Sequence, residues 1–286
     1  MSGQPPDSSP PQTPGPETHF PAPVGFSGAL AGAWRLYSRS IRALAPFFLV
    51  ISAVVLAVEI GASRIAANVE GSPDLKVGLA FFVPVVAYVA LWSVALGAAG
   101  PLLADRVVGR DASFRQAFKT ARSSLRDLFS AGLFAAVIAL CLVALLLPVS
   151  GLLFLALPLL YGPPVVVFVI ALEKSSLQQG LSRGWGLLKG SRLRISGILL
   201  AVAIAIQMLK ISVTQLFLGL PAEQRLGAIT AGQLVTDALF LPFLAAVSLV
   251  VYLDLRARAE DFAREDLVAE REAAHGSITA RPAIPG

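Results

Sequence analysis

The sequence predicts an all-α, polytopic membrane protein with about six transmembrane helices and three interfacial amphipathic helices. Hydrophobic residues make up 56% of the chain and charged residues only 14%, whereas a soluble domain carries nearer ~25% charged residues. Mean hydropathy is +0.73, so the apolar excess extends over most of the chain. A bilayer accommodates this much apolar surface and water does not. Long apolar runs and a one-sided distribution of basic residues support the same fold class.

The apolar runs place the spans. A helix needs about 20 residues to cross roughly 30 Å of hydrocarbon. The third and fourth spans come from a single apolar stretch that is too long for one crossing, and Pro148 and Gly151 near its middle predict a tight turn. The six predicted spans are at about residues 44–62, 77–100, 130–148, 151–172, 195–218 and 228–253.

The basic residues give the orientation. Of the 23 Lys and Arg residues, 19 fall before the first span, after the last span, or in the loops that follow spans two and four. The opposite side keeps only Arg64, Lys76 and Arg225, and Lys210 lies inside a span. Basic residues collect on the cytoplasmic side of membrane proteins. We therefore expect a multi-pass protein of the inner or cytoplasmic cell membrane, with both termini in the cytoplasm.

Two polar tails flank the predicted membrane domain. Residues 1–25 hold eight prolines and predict a disordered cytoplasmic tail, since such a segment buries too little surface to offset its ordering entropy. The alternative is a polyproline ligand for a partner. Residues 254–286 predict a charged cytoplasmic helix and tail leaving the membrane. Its charges are typical of a solvated face, and the alternative is a docking surface for a protein.

Three similar segments precede spans one, three and five. Residues 26–34, 114–122 and 177–185 share large apolar and small residues at helical spacing, with basic residues on the other faces. Such helices lie in the membrane interface with the apolar side towards the lipid. We expect Trp34 and Trp185 to anchor these helices, because indole combines an apolar body with a polar N–H. The alternative is that three short matches arose by chance.

Ionisable residues inside spans are costly and therefore informative. There are three, Glu59, Lys210 and Asp237. Counting 1.5 Å per residue puts Lys210 and Asp237 within about 6 Å of one another in depth, on consecutive helices. The sequence therefore predicts an intramembrane ion pair between them, with Glu59 as a second polar group near the outer end of span one. The open alternatives are a Lys210–Glu59 pair and a proton or ion path.

The chain offers little for catalysis. Its single cysteine, Cys141, excludes a disulfide framework, and its two histidines, His19 and His275, lie in the polar tails. No nucleophile elbow, phosphate loop or dinucleotide fingerprint appears, so we expect no catalytic residues, metal or cofactor, and no enzyme. The sequence pI of 9.7 follows from basic residues at cytoplasmic helix ends, which argues against nucleic acid as a partner.

Two segments resemble a known bacterial family. Gly184-Trp-Gly-Leu-Leu-Lys-Gly190 and, at the membrane exit, Tyr252-Leu-Asp-Leu-Arg-Ala-Arg-Ala-Glu260 are similar to multi-pass proteins labelled glycerophosphoryl diester phosphodiesterase membrane domain. The resemblance covers about residues 26–270. The family's exit motif often continues Glu-Gly-Phe, where this chain has Asp261. The catalytic barrel found attached in some proteins would need about 250 further residues, so the resemblance implies the membrane domain without phosphodiesterase activity.

The functional expectation follows from these features. The sequence favours a non-enzymatic membrane scaffold or envelope-associated protein. Such a protein is embedded in the lipid bilayer and contacts a possible protein partner through its cytoplasmic helices or tails. The alternative is a transporter or permease for a small or lipidic solute. A lipid-modifying enzyme is the least favoured hypothesis, because the sequence shows no recognisable catalytic groups.

The charge distribution predicts the topology. Reporter fusions at Gly71 and Gly219 should report the outside of the cell, and fusions at Arg110, Gly190 and Gly286 the cytoplasm, because basic residues are retained on the cytoplasmic side. Paired phosphatase and fluorescent-protein fusions measure this. An external C-terminus would contradict the arrangement with six spans.

Overall fold

A computed structural model describes residues 25–70, 72–111, 122–146 and 163–279, with residues 113, 115, 118 and 119 between them. Every regular element in these residues is an α-helix, which confirms the all-α fold class. The helices are α1 Phe26–Asn68, α2 Pro73–Val107, α3 Leu125–Leu146, α4 Pro163–Glu173, α5 Leu177–Leu188, α6 Arg192–Phe217, α7 Ala222–Glu260 and α8 Arg264–Thr279.

Among the residues that the structure describes, four helices are long and apolar enough to cross a membrane. They are α1, α6 and the segments Ala80–Val107 of α2 and Glu223–Glu260 of α7, which correspond to predicted spans one, five, two and six. Helices α3 and α4 overlap predicted spans three and four, and the expected turn at Pro148 and Gly151 lies outside the described residues. The protein is therefore an all-α membrane protein, while six crossings and their orientation stay predictions.

The prediction that residues 26–34 form a separate interfacial helix is wrong. Residues 26–34 begin α1 and continue without a break into the first span. No glycine or proline interrupts the chain between Trp34 and Leu44, and one buried stripe runs through both parts at helical spacing. This stripe packs on α7, where Gly32 faces Val250. Its members are Ala29, Ala33, Leu36, Ser40, Leu44, Phe48 and Ser52.

The other two predicted interfacial helices have different outcomes. The second, residues 114–122, lies largely outside the described residues. The third is a separate helix, α5, whose start is fixed by a capping box in which Ser176 and Gln179 each bind the other's backbone N–H. Its buried face covers α4, with Gly180 against Ile170, whereas we expected its apolar side to rest in lipid.

Helix α2 lies at the centre of the bundle and contacts α1, α3, α4 and α7. Small residues on α2 and its neighbours let the backbones approach closely, which is how helices associate in lipid. A Cβ added to Gly132 of α3 would lie 2.6 Å from the Cα of Ala90 on α2, and one added to Gly100 of α2 would lie 3.0 Å from Phe168 of α4. The bundle is therefore held at positions where no larger side chain fits.

The C-terminal segment does not leave the membrane as one helix. Helix α7 continues to Glu260, beyond the predicted end of span six at residue 253. It ends at Asp261, whose φ of 53° is left-handed and turns the chain. Helix α8 then folds back onto the bundle, with Leu267 buried at 1% exposure. The predicted solvated face is limited to one side of α8, where Glu265, Asp266 and Glu272 are exposed, and the reversal at Asp261 positions the site described below.

The contact at Gly132 gives a test of the packing. Gly132→Ala should lower the melting temperature of the protein in detergent, since overpacking a close contact costs about 1–3 kcal/mol and the opposing atom belongs to the backbone of α2. The control is Gly197→Ala, also inside a helix, where an added Cβ meets nothing within 4 Å. That variant should be unchanged or slightly stabilised. Equal melting temperatures for both variants would contradict this packing.

Candidate functional site

A charged cluster lies where the ends of α4, α5, α7 and α8 meet, and we call it the cap cluster. Arg256 is at its centre, with its side chain only 6% exposed, and both terminal nitrogens donate to Glu270, at 2.8 and 2.9 Å. The guanidinium carbon lies 3.6 Å from the ring centroid of Phe262. The cluster consists of Glu173, Arg183, Tyr252, Arg256, Glu260 and Glu270.

The remaining contacts close the cap cluster. The Tyr252 hydroxyl donates to Glu173 at 2.8 Å. Arg183 of α5 pairs with Glu173 and with Glu260, the latter at 2.8 Å. Arg256 also donates to Glu260 at 3.1 Å. Each carboxylate of the cluster thus faces an arginine, and the cluster joins four helices.

Both arginines of the cap cluster are held between carboxylates. Arg256 donates hydrogen bonds to Glu270 and to Glu260. The pKa of Arg183 lies above its usual range, because the lowering effect of burial is outweighed by the hydrogen bonds and charges of Glu173 and Glu260. Both side chains are therefore held as cations, which suits a clamp between helices and does not suit proton transfer.

A second contact fastens α8 to α2. Arg271 donates to both oxygens of Asp105 at 2.7 and 3.2 Å, and the two side chains are 5% and 3% exposed. The Nε2 atom of His275 lies 3.6 Å from the same carboxylate. Nearby, Arg110 and Glu272 form a more exposed pair at 2.7 Å. A bidentate, buried pair of this kind fixes both position and orientation.

A third contact joins α6 to α7. Arg194 pairs with Asp254, which also accepts from Arg258 at 3.0 Å. The Asp254 side chain is 5% exposed. These groups lie at the same end of the bundle as the cap cluster, so the ends of α2, α4, α6 and α7 carry buried charges that all have partners.

The predicted intramembrane contact is present. Lys210 Nζ lies 2.8 Å from Asp237 Oδ1, and Lys210 therefore does not pair with Glu59, which is exposed on α1. Oδ1 is buried and accepts no hydrogen bond, so Lys210 and Asp237 form an ion pair without hydrogen-bond geometry.

The two predicted anchors are placed differently. Trp34 is 59% exposed on α1 and forms an aromatic cluster with Tyr37 and Phe243. Trp185 of α5 is half-buried, and the Arg192 guanidinium lies 5.5 Å from its ring centroid. Their depth in the bilayer stays a prediction.

Sequence reasoning missed the cap cluster and the Asp105–Arg271 pair. The available signal was local, in the form of Asp254 with Arg258 and Arg256 with Glu260 at the i, i+4 spacing. That spacing does not show that the chain turns back at Asp261. Among the described residues, no group of three or more His, Cys, Asp or Glu side chains is placed to hold a metal ion.

Comparisons with known proteins bring no further information. A scan against models of protein families, a search of curated proteins and a search of solved structures each found no match. The resemblance to the phosphodiesterase membrane domain stays a prediction.

The buried pair on α8 gives a sharp stability test. Arg271→Ala leaves Asp105 buried without its partner, and breaking such a pair costs about 3–5 kcal/mol. We expect a lower melting temperature and faster proteolytic cleavage within α8. The matched control is Arg110→Ala, which removes an exposed pair between the same two regions and should cost at most about 1 kcal/mol. Equal effects of the two variants would show that burial of the pair does not hold α8.

Proposed function

We propose that this protein is a non-enzymatic membrane scaffold that holds a protein partner on a cap formed by α5 and α8. The cap cluster is the observation that carries the proposal. Each of its three carboxylates pairs with an arginine, and these pairs join α4, α5, α7 and α8. Groups used in this way stabilise a surface and leave no carboxylate to act as a base or nucleophile.

The exposed face of α8 suggests the chemistry of the partner. Glu265, Asp266 and Glu272 are exposed there, and the small residues Ala269 and Ala273 lie beside them. The opposite face, with Leu267 and Arg271, is buried. An acidic ridge with small residues between the charges suits a basic segment of a partner protein, because complementary charge steers and orients an encounter.

The alternative of a transporter has less support. A cavity of about 200 Å³ lies between α2, α3, α4, α6 and α7, and its lining is apolar apart from two serines. The hydroxyls of Ser93 and Ser248 donate to carbonyls of their own helices. A polar solute would lose its hydration there without replacement. The one observation that favours transport is a polar pocket beside Lys210.

Photo-crosslinking in cells tests the scaffold. A crosslinking amino acid at Ala269 or Ala273 of the full chain should capture the same protein, whereas one at Leu226, exposed at 76% on α7, should not. The purified partner should bind the reconstituted protein with an affinity that falls as salt rises. Glu265→Lys with Glu272→Lys should weaken binding about tenfold, since like charges then oppose each other.

Two results would overturn the proposal. One is the absence of a common product at Ala269 and Ala273, or binding that is unchanged by the charge reversal. The other is solute-specific flux in proteoliposomes, measured as osmotic swelling over a panel of small polar solutes, above the rate in empty liposomes. The second result would support the transporter.

A further inference from the structure

A polar pocket of about 340 Å³ lies between α6 and α7, towards the end of the bundle opposite the cap cluster. It belongs to neither the cap nor the scaffold surface. Five of its six lining residues are polar, and one of them, Lys210, is charged. The lining residues are Gln207, Lys210, Ile211, Thr214, Gln215 and Gln233.

The depth of the pocket follows from the helix geometry. The Arg194–Asp254 pair marks the level at which α6 and α7 emerge among charged groups. Lys210 is sixteen residues further along α6, which is about 24 Å at 1.5 Å per residue. Thr214 and Gln215 are about 30 Å away, the thickness of the hydrocarbon core. The pocket therefore extends from the hydrocarbon to the headgroup level of the leaflet opposite the cap.

The pocket is rich in hydrogen-bond donors. Lys210 has three N–H donors. Its Nζ atom lies 2.8 Å from Oδ1 of Asp237, which is behind the pocket. The side-chain amides of Gln207, Gln215 and Gln233 make no hydrogen bond to other described residues. Thr214 donates its hydroxyl to the carbonyl of Lys210 at 3.0 Å.

A structural ion pair alone does not account for this surface. Lys210 and Asp237 already offset each other's charge, and the pair needs no further polar neighbour. Yet Gln207 is exposed beside it at hydrocarbon depth, where an amide without a partner is costly, and Gln215 is exposed at the headgroup level. An acceptor group from outside the chain would satisfy these donors.

We propose that the pocket binds the phosphate group of a phospholipid in the leaflet opposite the cap. Phosphate oxygens accept hydrogen bonds from one ammonium and several amides, the donors present here. A phospholipid offers a phosphate group to the polar donors and acyl chains to the exposed apolar side chains that adjoin the pocket on α6. These are Met208 at 54% and Ile211 at 41% exposure, and they lie nearer the cap than Gln215, at the depth of the acyl chains.

Binding to the purified full chain in a non-ionic detergent tests the proposal. Short-chain phosphatidylglycerol should raise the melting temperature in a saturable way. The matching diacylglycerol, which lacks the phosphate, should not. Inorganic phosphate at the same concentration should not either, because it lacks the acyl chains. An equal rise in melting temperature with inorganic phosphate would show that the phosphate group need not come from a lipid. An equal rise with diacylglycerol would show that the phosphate group is not recognised. Either result would overturn the proposal.

Two variants separate recognition from folding. Gln207→Leu with Gln215→Leu changes exposed positions and should weaken the apparent affinity for phosphatidylglycerol about tenfold, since two donors to a charged group are lost. Its control, Gly197→Ala with Ser212→Ala, alters the same helix outside the pocket lining and should leave the affinity unchanged.

The second variant addresses the ion pair. Lys210→Met with Asp237→Leu removes both charges, which leaves no uncompensated charge and preserves the fold. The thermal response to phosphatidylglycerol should then be lost while the starting melting temperature stays near that of the parent. A response retained in both variants, or no response of the parent chain to any of the three probes, would overturn the proposal.

Discussion

Close packing of small residues around α2 is the constraint on which the rest of the structure depends. Helices in lipid gain little from hydrophobic association, so they must gain from contact between surfaces that fit. At Gly132 the backbone of α3 rests on that of α2, and at Gly100 the ring of Phe168 fills the space left by the missing side chain. Phe168 in turn stacks on Tyr252, with ring centroids 6.0 Å apart. This chain of contacts brings α4 and α7 together where the cap cluster forms.

The cap cluster fixes the positions of α5 and α8 on that packed bundle. Removing an arginine such as Arg256 from water is expensive, and only several correctly placed carboxylates offset the cost. Glu260 lies on α7 with Arg256, whereas Glu270 comes from beyond the turn at Asp261, so the two hydrogen bonds between Arg256 and Glu270 form only when α8 lies against the bundle. The buried charge of Arg271 on α8 is likewise paired with Asp105 of α2 only when α8 lies against the bundle. The position of α8, and with it the acidic ridge, thus follows from buried charge.

The membrane-buried pair was predictable because it depends on local geometry. Helices α6 and α7 are consecutive and joined by a short connection, so counting residues from each end gives comparable depths for Lys210 and Asp237. The helix at the start of α1 was not predictable in this way. Its amphipathic pattern fits either lipid or a neighbouring helix, and only the tertiary packing of α1 on α7 selects the neighbour. Helix α5 raises the same ambiguity, with Gly180 resting on Ile170.

The sequence by itself determined the all-α fold class and the places of the long apolar helices, and it favoured the pairing of Lys210 with Asp237 over the alternative pair with Glu59. Each follows from composition, from helical periodicity, or from the fixed rise of a helix, and these properties are recorded within short segments. Only the tertiary structure decided that α1 is continuous and that α8 folds back onto the bundle. Arg271 and Asp105 are separated by 166 positions. Their pairing depends on a chain reversal and on burial, which no local pattern of residues records.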